Sequence, residues 1–325
     1  MKKCLYMLVS FFILAACTDD DDQPKYVEVD FKEEMRNFVI GISQYAKSQN
    51  PKFLVIPQNG IELVTIDGDY EAPRHREYTD AIDGNGQEDL YYGYIRDDKE
   101  TPLGDTEYLK DLLNISKSAG NKILVTDYCT TSSKMDDSYE KNKSEGYVSF
   151  AARDRDLDEI PTYPATIHSE NNNIITGLNQ IKNFLYLINP EKFTSKQEFI
   201  SAITQTNYDL LIMDLFINDH TEFTQTEISQ LKAKLNGGER LVICYMSIGE
   251  AENYRYYWQS DWNTNKPIWL EDLNPDWEGN YKVRYWYVPW QDIIFGNDDS
   301  YLKKILDAGF DGVYLDIIDA FEYYE

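Results

Sequence analysis

Five acidic residues stand where chemistry could be done. Asp127 closes the apolar run that starts at Lys122, and Asp214 closes the run from Tyr208. Glu250 follows the run from Arg240 through a glycine, and Asp316 ends Gly312-Val-Tyr-Leu. Glu88 lies in the Gly- and Asn-bearing stretch 80–92. Runs of this length read as buried strands, and parallel strands do their chemistry at their carboxyl ends. Two carboxyl groups facing one cavity can divide the work, one moving a proton while the other attacks or stabilises a developing positive charge.

The elements that must position these acids alternate along the chain. Apolar positions Phe31, Met35, Phe38, Ile42 and Tyr45 predict an amphipathic helix over 31–47. Strands are predicted at 52–57, within 80–92, at 122–129 and at 146–152, with a helix over 104–119. Residues 153–173, with Pro161, Pro164 and three consecutive Asn, read as a linker between halves. Strands follow at 183–188, 208–214, 240–250 and 313–317. Helices are predicted at 195–204, from Thr224 and at 301–308. All six Trp fall in a loop over 253–290, read as a packed lid. Eight strand units alternating with helices predict a (β/α)8 TIM barrel, with a doubly wound sheet as the alternative. No helix is expected after the last strand, which is anomalous for a barrel.

Composition narrows the partners. A net charge of −26 excludes nucleic acid, since nothing would neutralise phosphate. The same field favours a cationic ligand. No Gly-x-Gly-x-x-Gly follows a strand and no Cys or His spacing suits a metal, so no cofactor is expected. Cys129 and Cys244 read as buried core thiols. Aromatics at 14%, with 26 Tyr, suit either a sugar-stacking surface or a large core.

Several stretches taken together resemble the endo-α-1,4-polygalactosaminidase-related barrels of glycoside hydrolase family 114. They are Tyr208–Asp214, Cys244–Glu252, Asn274–Trp286 and Phe310–Asp316, together with Phe53–Gly60, Asp83–Gly93 and Leu124–Cys129. The halves run in reversed order, so the resemblance implies a circular permutation. Residues 174–325 would supply barrel strands 1–4, and residues 31–152 helix 4 and strands 5–8. That order would explain the missing last helix. A domain-swapped dimer is the rival to a permuted monomer.

The resemblance implies that Asp316 and Glu88 are the catalytic pair, with Glu88 as general acid/base and Asp316 as nucleophile or charge stabiliser. Asp127, Asp214 and Glu250 are expected to bind substrate hydroxyl or amine groups. Gln58 and Asn59 are expected to hydrogen-bond the sugar, and Tyr92, Tyr128, Tyr245 and Tyr314 to line the substrate cavity. The implied substrate is an α-linked, galactosaminoglycan-like polysaccharide; the alternatives are a non-catalytic glycan-binding protein on the same scaffold and an interaction protein using the Trp-rich loop. The start of the chain bears on location. Lys2 and Lys3, a short apolar run and Leu14-Ala-Ala-Cys17 resemble a bacterial lipoprotein signal over 1–16, with Cys17 lipidated. Residues 17–30, with Asp19–Asp22, read as an acidic tether. The expected location is an outer membrane, facing the cell surface or the periplasm.

Overall fold

Short, almost wholly buried strands organise the chain. They are β1 (Leu54–Pro57), β2 (Gly84–Glu88), β3 (Lys122–Tyr128), β4 (Val148–Ala152), β5 (Leu185–Tyr186), β6 (Leu210–Met213), β7 (Leu241–Ser247) and β8 (Gly312–Asp316). The computed structural model describes residues 29–218 and 221–325, and residues 31–325 make up the unit discussed below. Runs such as Leu-Leu-Ile-Met in β6 lack polar alternation because both faces are covered, as in a parallel sheet layered with helices.

All ladders among these strands are parallel. One runs β5-β6-β7-β8-β1 and the other β2-β3-β4. The Asp83 amide donates to Val55 O (2.9 Å) and the Asn59 amide to Gly86 O (3.0 Å), joining β1 to β2. The spatial order is therefore β5-β6-β7-β8-β1-β2-β3-β4. At the remaining seam Phe150 of β4 meets Phe184 before β5, with ring centroids 5.7 Å apart. The fold is α/β with a mostly parallel sheet.

Helix α1 (Phe31–Gln49) buries Met35, Phe38 and Ile42 of its predicted stripe, together with Val39 and Ala46, while Phe31 and Tyr45 are half-buried. It also packs on the end of the chain, with Phe38 against Phe295 and Lys32 paired to Glu325 at 2.5 Å. Helices α2 (Arg76–Ala81), α3 (Leu103–Ser118) and α4 (Ser132–Ser144) cover the first half. Helices α5 (Lys196–Thr204), α6 (Gln225–Leu231), α7 (Val288–Ile294) and α8 (Tyr301–Ala308) cover the second. The Ser195 side chain caps α5 by accepting from the Glu198 amide, and Thr224 with Glu227 forms a capping box on α6.

Four features depart from the sequence reading. Helix α4 has the sequence SSKMDDSYEKNKS, too polar to show a stripe, and it buries Ser138 and Asn142 beside Met135 and Tyr139. The strand expected over 183–188 pairs only at Leu185–Tyr186, since Asn183 Oδ1 accepts from the Asp209 amide and Pro190 follows closely. The Trp-rich stretch is a built element, in which Glu250–Glu252, Asn280–Val283 and Leu270–Leu273 form an antiparallel sheet. Last, β8 is followed by a 3-10 helix over Ile318–Tyr323, where no helix was expected. Cys129 and Cys244 are buried free thiols.

Candidate active site

Glu88 and Asp316 are the last residues of β2 and β8. Strand β1 lies between them, and Gln58 follows its last residue. Three neighbouring strand ends therefore meet. The Gln58 side-chain amide nitrogen donates to Glu88 Oε2 at 3.0 Å and to Asp316 Oδ1 at 3.1 Å. Its carbonyl oxygen accepts from the buried Tyr186 hydroxyl at 3.0 Å. An amide NH2 has two hydrogens, one for each carboxylate. The two acceptor oxygens thus lie no farther apart than 6.1 Å, the length of the 3.0 and 3.1 Å bonds end to end. At the ~120° spread of an amide NH2 they stand about 5 Å apart.

Each acid has further donors. Glu88 accepts from Asn59 Nδ2 (2.9 Å) and from the Tyr128 hydroxyl (2.5 Å). Asp316 accepts from the Tyr245 hydroxyl at 2.6 Å. Both acids are half-buried, so a ligand can reach them.

Backbone geometry at the three strand ends repeats. Gln58, Glu88 and Asp316 are each followed at once by a non-glycine residue in the left-handed region: Asn59 (φ 60°), Asp89 (φ 59°) and Ile317 (φ 56°). Asn and Asp tolerate this conformation, whereas a β-branched Ile is strained in it. Such strain gathers at functional sites. One layer down, Tyr314 of β8 fills the space over Gly86 of β2. A Cβ on Gly86 would stand 1.9 Å from the Tyr314 hydroxyl, so glycine is required there. That hydroxyl is buried and has no hydrogen-bond partner among the described residues.

Electrostatics favour protons on this cluster. Burial, then the charge of Glu88, push the Asp316 carboxyl up to about 7, against the Tyr245 hydrogen bond. Asp319, in the turn after β8, is pushed up to about 8 by burial and then by Asp316. Asp89 is pushed up to about 7 by burial, with the Arg155 guanidinium opposing. Interacting carboxyls at this range titrate as a unit and share protons near neutrality.

The structure brings together Glu88, Asp316, Gln58, Asn59, Tyr128 and Tyr245 of the expected residues, with Tyr314 beneath. It places the others in different work. Asp127 is fully buried and accepts from the Tyr91 and Tyr92 amides, Ser138 Oγ and Asn142 Nδ2. It ties α4 and the β2 loop to β3, which corrects its reading as a substrate binder. Asp214 forms a bidentate pair with Arg255 (3.0 and 2.6 Å), which also holds Glu252 at 2.6 Å. That buried triad pins the Trp-bearing sheet to the end of β6. Glu250 is buried and accepts from Asn274 Nδ2 (2.8 Å) and the Tyr323 hydroxyl (3.0 Å). The Tyr92 hydroxyl donates to Asp137 at 2.6 Å, away from the pair. Gln58 is also corrected, because its amide is committed to holding the two acids.

Sequence reasoning missed Tyr186, Asp319 and Arg155. Tyr186 sits in the expected strand 183–188, and the inward alternation of that strand was the available signal. Arg155 lies in the stretch read as a linker, and nothing in its neighbours marks it. Among the described residues no group of His, Cys, Asp or Glu is arranged to hold a metal ion.

Known proteins resemble parts of the chain. An uncharacterised protein of Methanocaldococcus jannaschii is 42% identical over 159 residues, covering 45% of this chain and 43% of that protein. One of Thermotoga maritima is 39% identical over 122 residues, covering 38% of this chain and 36% of its own length. The chain spans less than half the length of these relatives. A crystal structure of Aspergillus fumigatus Ega3 in complex with galactosamine is 29% identical over 37% of this chain and 41% of that one. Its TM-score is 0.28, too low to bear on the fold. Residues 187–324, which carry β6, β7, the Trp-bearing sheet, β8 and Asp316, match the model of glycoside-hydrolase family GH114.

Proposed function

We propose that this chain is a retaining glycoside hydrolase acting on an α-linked, amino-sugar polysaccharide, with Glu88 and Asp316 as its carboxyl pair. The observation that carries the reading is the Gln58 amide bonded to both acids. It sets a spacing of about 5 Å, the separation of retaining rather than inverting enzymes. In the first step Glu88 gives its proton to the glycosidic oxygen as the bond to the anomeric carbon breaks, and an Asp316 oxygen bonds to that carbon. Water then attacks, Glu88 takes its proton, and Asp316 leaves as carboxylate. The step starts with one proton on the pair, on Glu88. That a carboxyl here keeps a proton near neutrality is supported by Asp316, pushed up to about 7 by burial and then by the charge of Glu88. The charge of Glu250 acts on the pair, which suits a protonated hexosamine.

The same reading takes the parallel strands as a closed barrel permuted relative to the family. Its support is the β8–β1 ladder, with α1 packed where the helix after β8 belongs. Both halves pair within one chain, which supports a monomer over a swapped dimer. The lipid anchor at Cys17 and the outer-membrane location belong to this proposal; residues 1–28 lie outside the described residues. The presence of both carboxylates side by side favours the enzyme over a non-catalytic binder.

The test is cleavage of α-1,4-polygalactosamine, read as new reducing ends, by the native protein and by Glu88→Gln and Asp316→Gly variants. Native cleavage, lost in both variants, is expected. Azide should then restore turnover, giving α-glycosyl azide from an activated aryl galactosaminide with Glu88→Gln and β-glycosyl azide from the polymer with Asp316→Gly. No cleavage of this or any related glycan, with binding kept in all three proteins, would overturn the reading.

A further inference from the structure

The segment that joins the two halves sends one side chain back to the acid pair. Arg155, three residues past the end of β4, lays its guanidinium over the Tyr128 ring, 4.2 Å from the centroid. The hydroxyl of that ring is the Tyr128 group that donates to Glu88. One guanidinium nitrogen donates to both Asp89 oxygens, at 3.0 and 3.1 Å, and to Gly93 O at 3.2 Å. The remaining Nε–H donates to Asp97 at 2.9 Å. Gly93 is part of this fit, since a Cβ there would stand 1.9 Å from Asp89 Oδ1 and 3.3 Å from Arg155. Asp89 in turn is the left-handed residue immediately after Glu88. The guanidinium therefore touches both residues that flank Glu88, one in space and one in sequence.

We propose that Arg155 is a positioning residue for the hydrolytic pair: it holds the Tyr128 hydroxyl on Glu88 and cancels the charge of Asp89 beside it. The inference rests on the hydrolase reading above. A planar guanidinium stacked on an aromatic face and hydrogen-bonded to carboxylates at its edge is pre-organised and loses little entropy in doing both. Without it nothing offsets the charge that Asp89 takes on as it ionises beside Glu88 in a partly desolvated site. Like charge there disfavours ionisation of the pair.

The titratable groups that face Glu88 define what else can act on the pair. From its own turn comes Asp89, and from β3 the Tyr128 hydroxyl. Asp316 and Tyr314 face it from β8 and Asp319 from the turn after it, with Tyr186 from β5. Of these, Arg155 directly contacts Asp89 and Tyr128, which makes its removal readable.

The experiment uses the whole protein as wild type, Arg155→Ala, Arg155→Lys, Asp89→Asn and the Arg155→Ala/Asp89→Asn double variant. The first readout needs no substrate: the infrared band of protonated carboxyl, followed against pH as the difference between each protein and its own Asp316→Asn form. The second is the pH profile of polygalactosamine cleavage, with kcat and KM separated. Arg155→Ala is expected to move the carboxyl midpoint up by roughly one pH unit. It should also lower kcat at least tenfold, with KM changed less than threefold. Arg155→Lys should keep the midpoint, since it keeps the charge. The double variant should return the midpoint to that of wild type, and Asp89→Asn alone should lower it. An unchanged midpoint in Arg155→Ala, or the same shift in single and double variants, overturns the proposal. If Arg155→Ala does not fold, Asp89→Asn decides, and an unchanged midpoint there overturns it too. If the native protein cleaves no glycan, the hydrolase reading falls while the infrared titration still judges the role of Arg155.

Discussion

Gln58 shows how much one side chain settles at the residue scale. Its amide satisfies Glu88 and Asp316, and its carbonyl satisfies Tyr186, which is 1% exposed. Replacing it by Leu keeps the volume and removes all three bonds. Water can reach the half-buried acids, but it cannot easily reach the Tyr186 hydroxyl. Gln58→Leu should therefore cost about 1–3 kcal/mol in urea unfolding, the penalty of one buried hydroxyl left without a partner. In the hydrolase reading the same change frees the carboxylates to separate and should lower kcat about a hundredfold. Full activity in Gln58→Leu would mean that the spacing is held by something else.

At the scale of elements, the Trp-bearing sheet depends on one buried cation. Trp258, Trp262, Trp269 and Trp290 pack in a chain of ring contacts, each with centroids 5.0 Å from the next along Trp258–Trp262–Trp269–Trp290. What fastens this element to β6 is Arg255, which holds Asp214 and Glu252 at once. Replacing Arg255 with Met would leave two buried carboxylates facing each other, a loss of roughly 3–5 kcal/mol. The cost should shrink at pH 5, where the orphaned acids can take up protons. Chemical unfolding at pH 8 and pH 5 checks both parts. Equal destabilisation at the two pH values would show that lost packing against Phe216, Tyr254 and Tyr301 outweighs charge.

At the scale of the whole molecule, the raised carboxyls and the net charge act in the same direction. Asp316, Asp319 and Asp89 are raised to about 7, 8 and 7. In the unfolded chain such groups titrate near 4. Between pH ~4 and ~8 the folded protein thus holds more protons than the unfolded one, and its stability falls as pH rises. Self-repulsion at a net charge of −26 adds to the fall and is screened by salt. Below pH 4 the sign reverses through groups such as Asp98, held low chiefly by the Thr131 amide, and Glu227, held low by the Thr224 amide and Lys196. Calorimetry should find the highest Tm near pH 5, a lower Tm at pH 8.5 that added salt partly restores, and a flatter pH dependence in Asp316→Asn. A Tm that climbs from pH 5 to 8.5 would rule this electrostatic account out.

The sequence by itself determined the alternation of elements, and it marked five of the eight strand ends with a carboxylate. Apolar runs of four to seven residues and side-chain caps such as Thr224 with Glu227 are local signals, so β1, β3, β4, β6, β7, β8 and the helices α1, α3, α5, α6 and α8 were legible. The pairing of Glu88 with Asp316 was also within reach, through the resemblance of their stretches to one family. What sequence could not do was sort the five acids, because all five end similar runs. Only tertiary structure decided that Asp127, Asp214 and Glu250 are consumed by amides, Arg255 and lid side chains, while Glu88 and Asp316 share Gln58. The reason is physical: whether a carboxylate is structural or available depends on which donors reach it, and those donors lie tens to hundreds of residues away. Helix α4 stayed hidden for a related cause, since its buried face is polar and finds its partners in Asp127. Arg155 lies in a stretch with no pattern at all, and it gains a role only because β3 and the loop after β2 fold up beneath it.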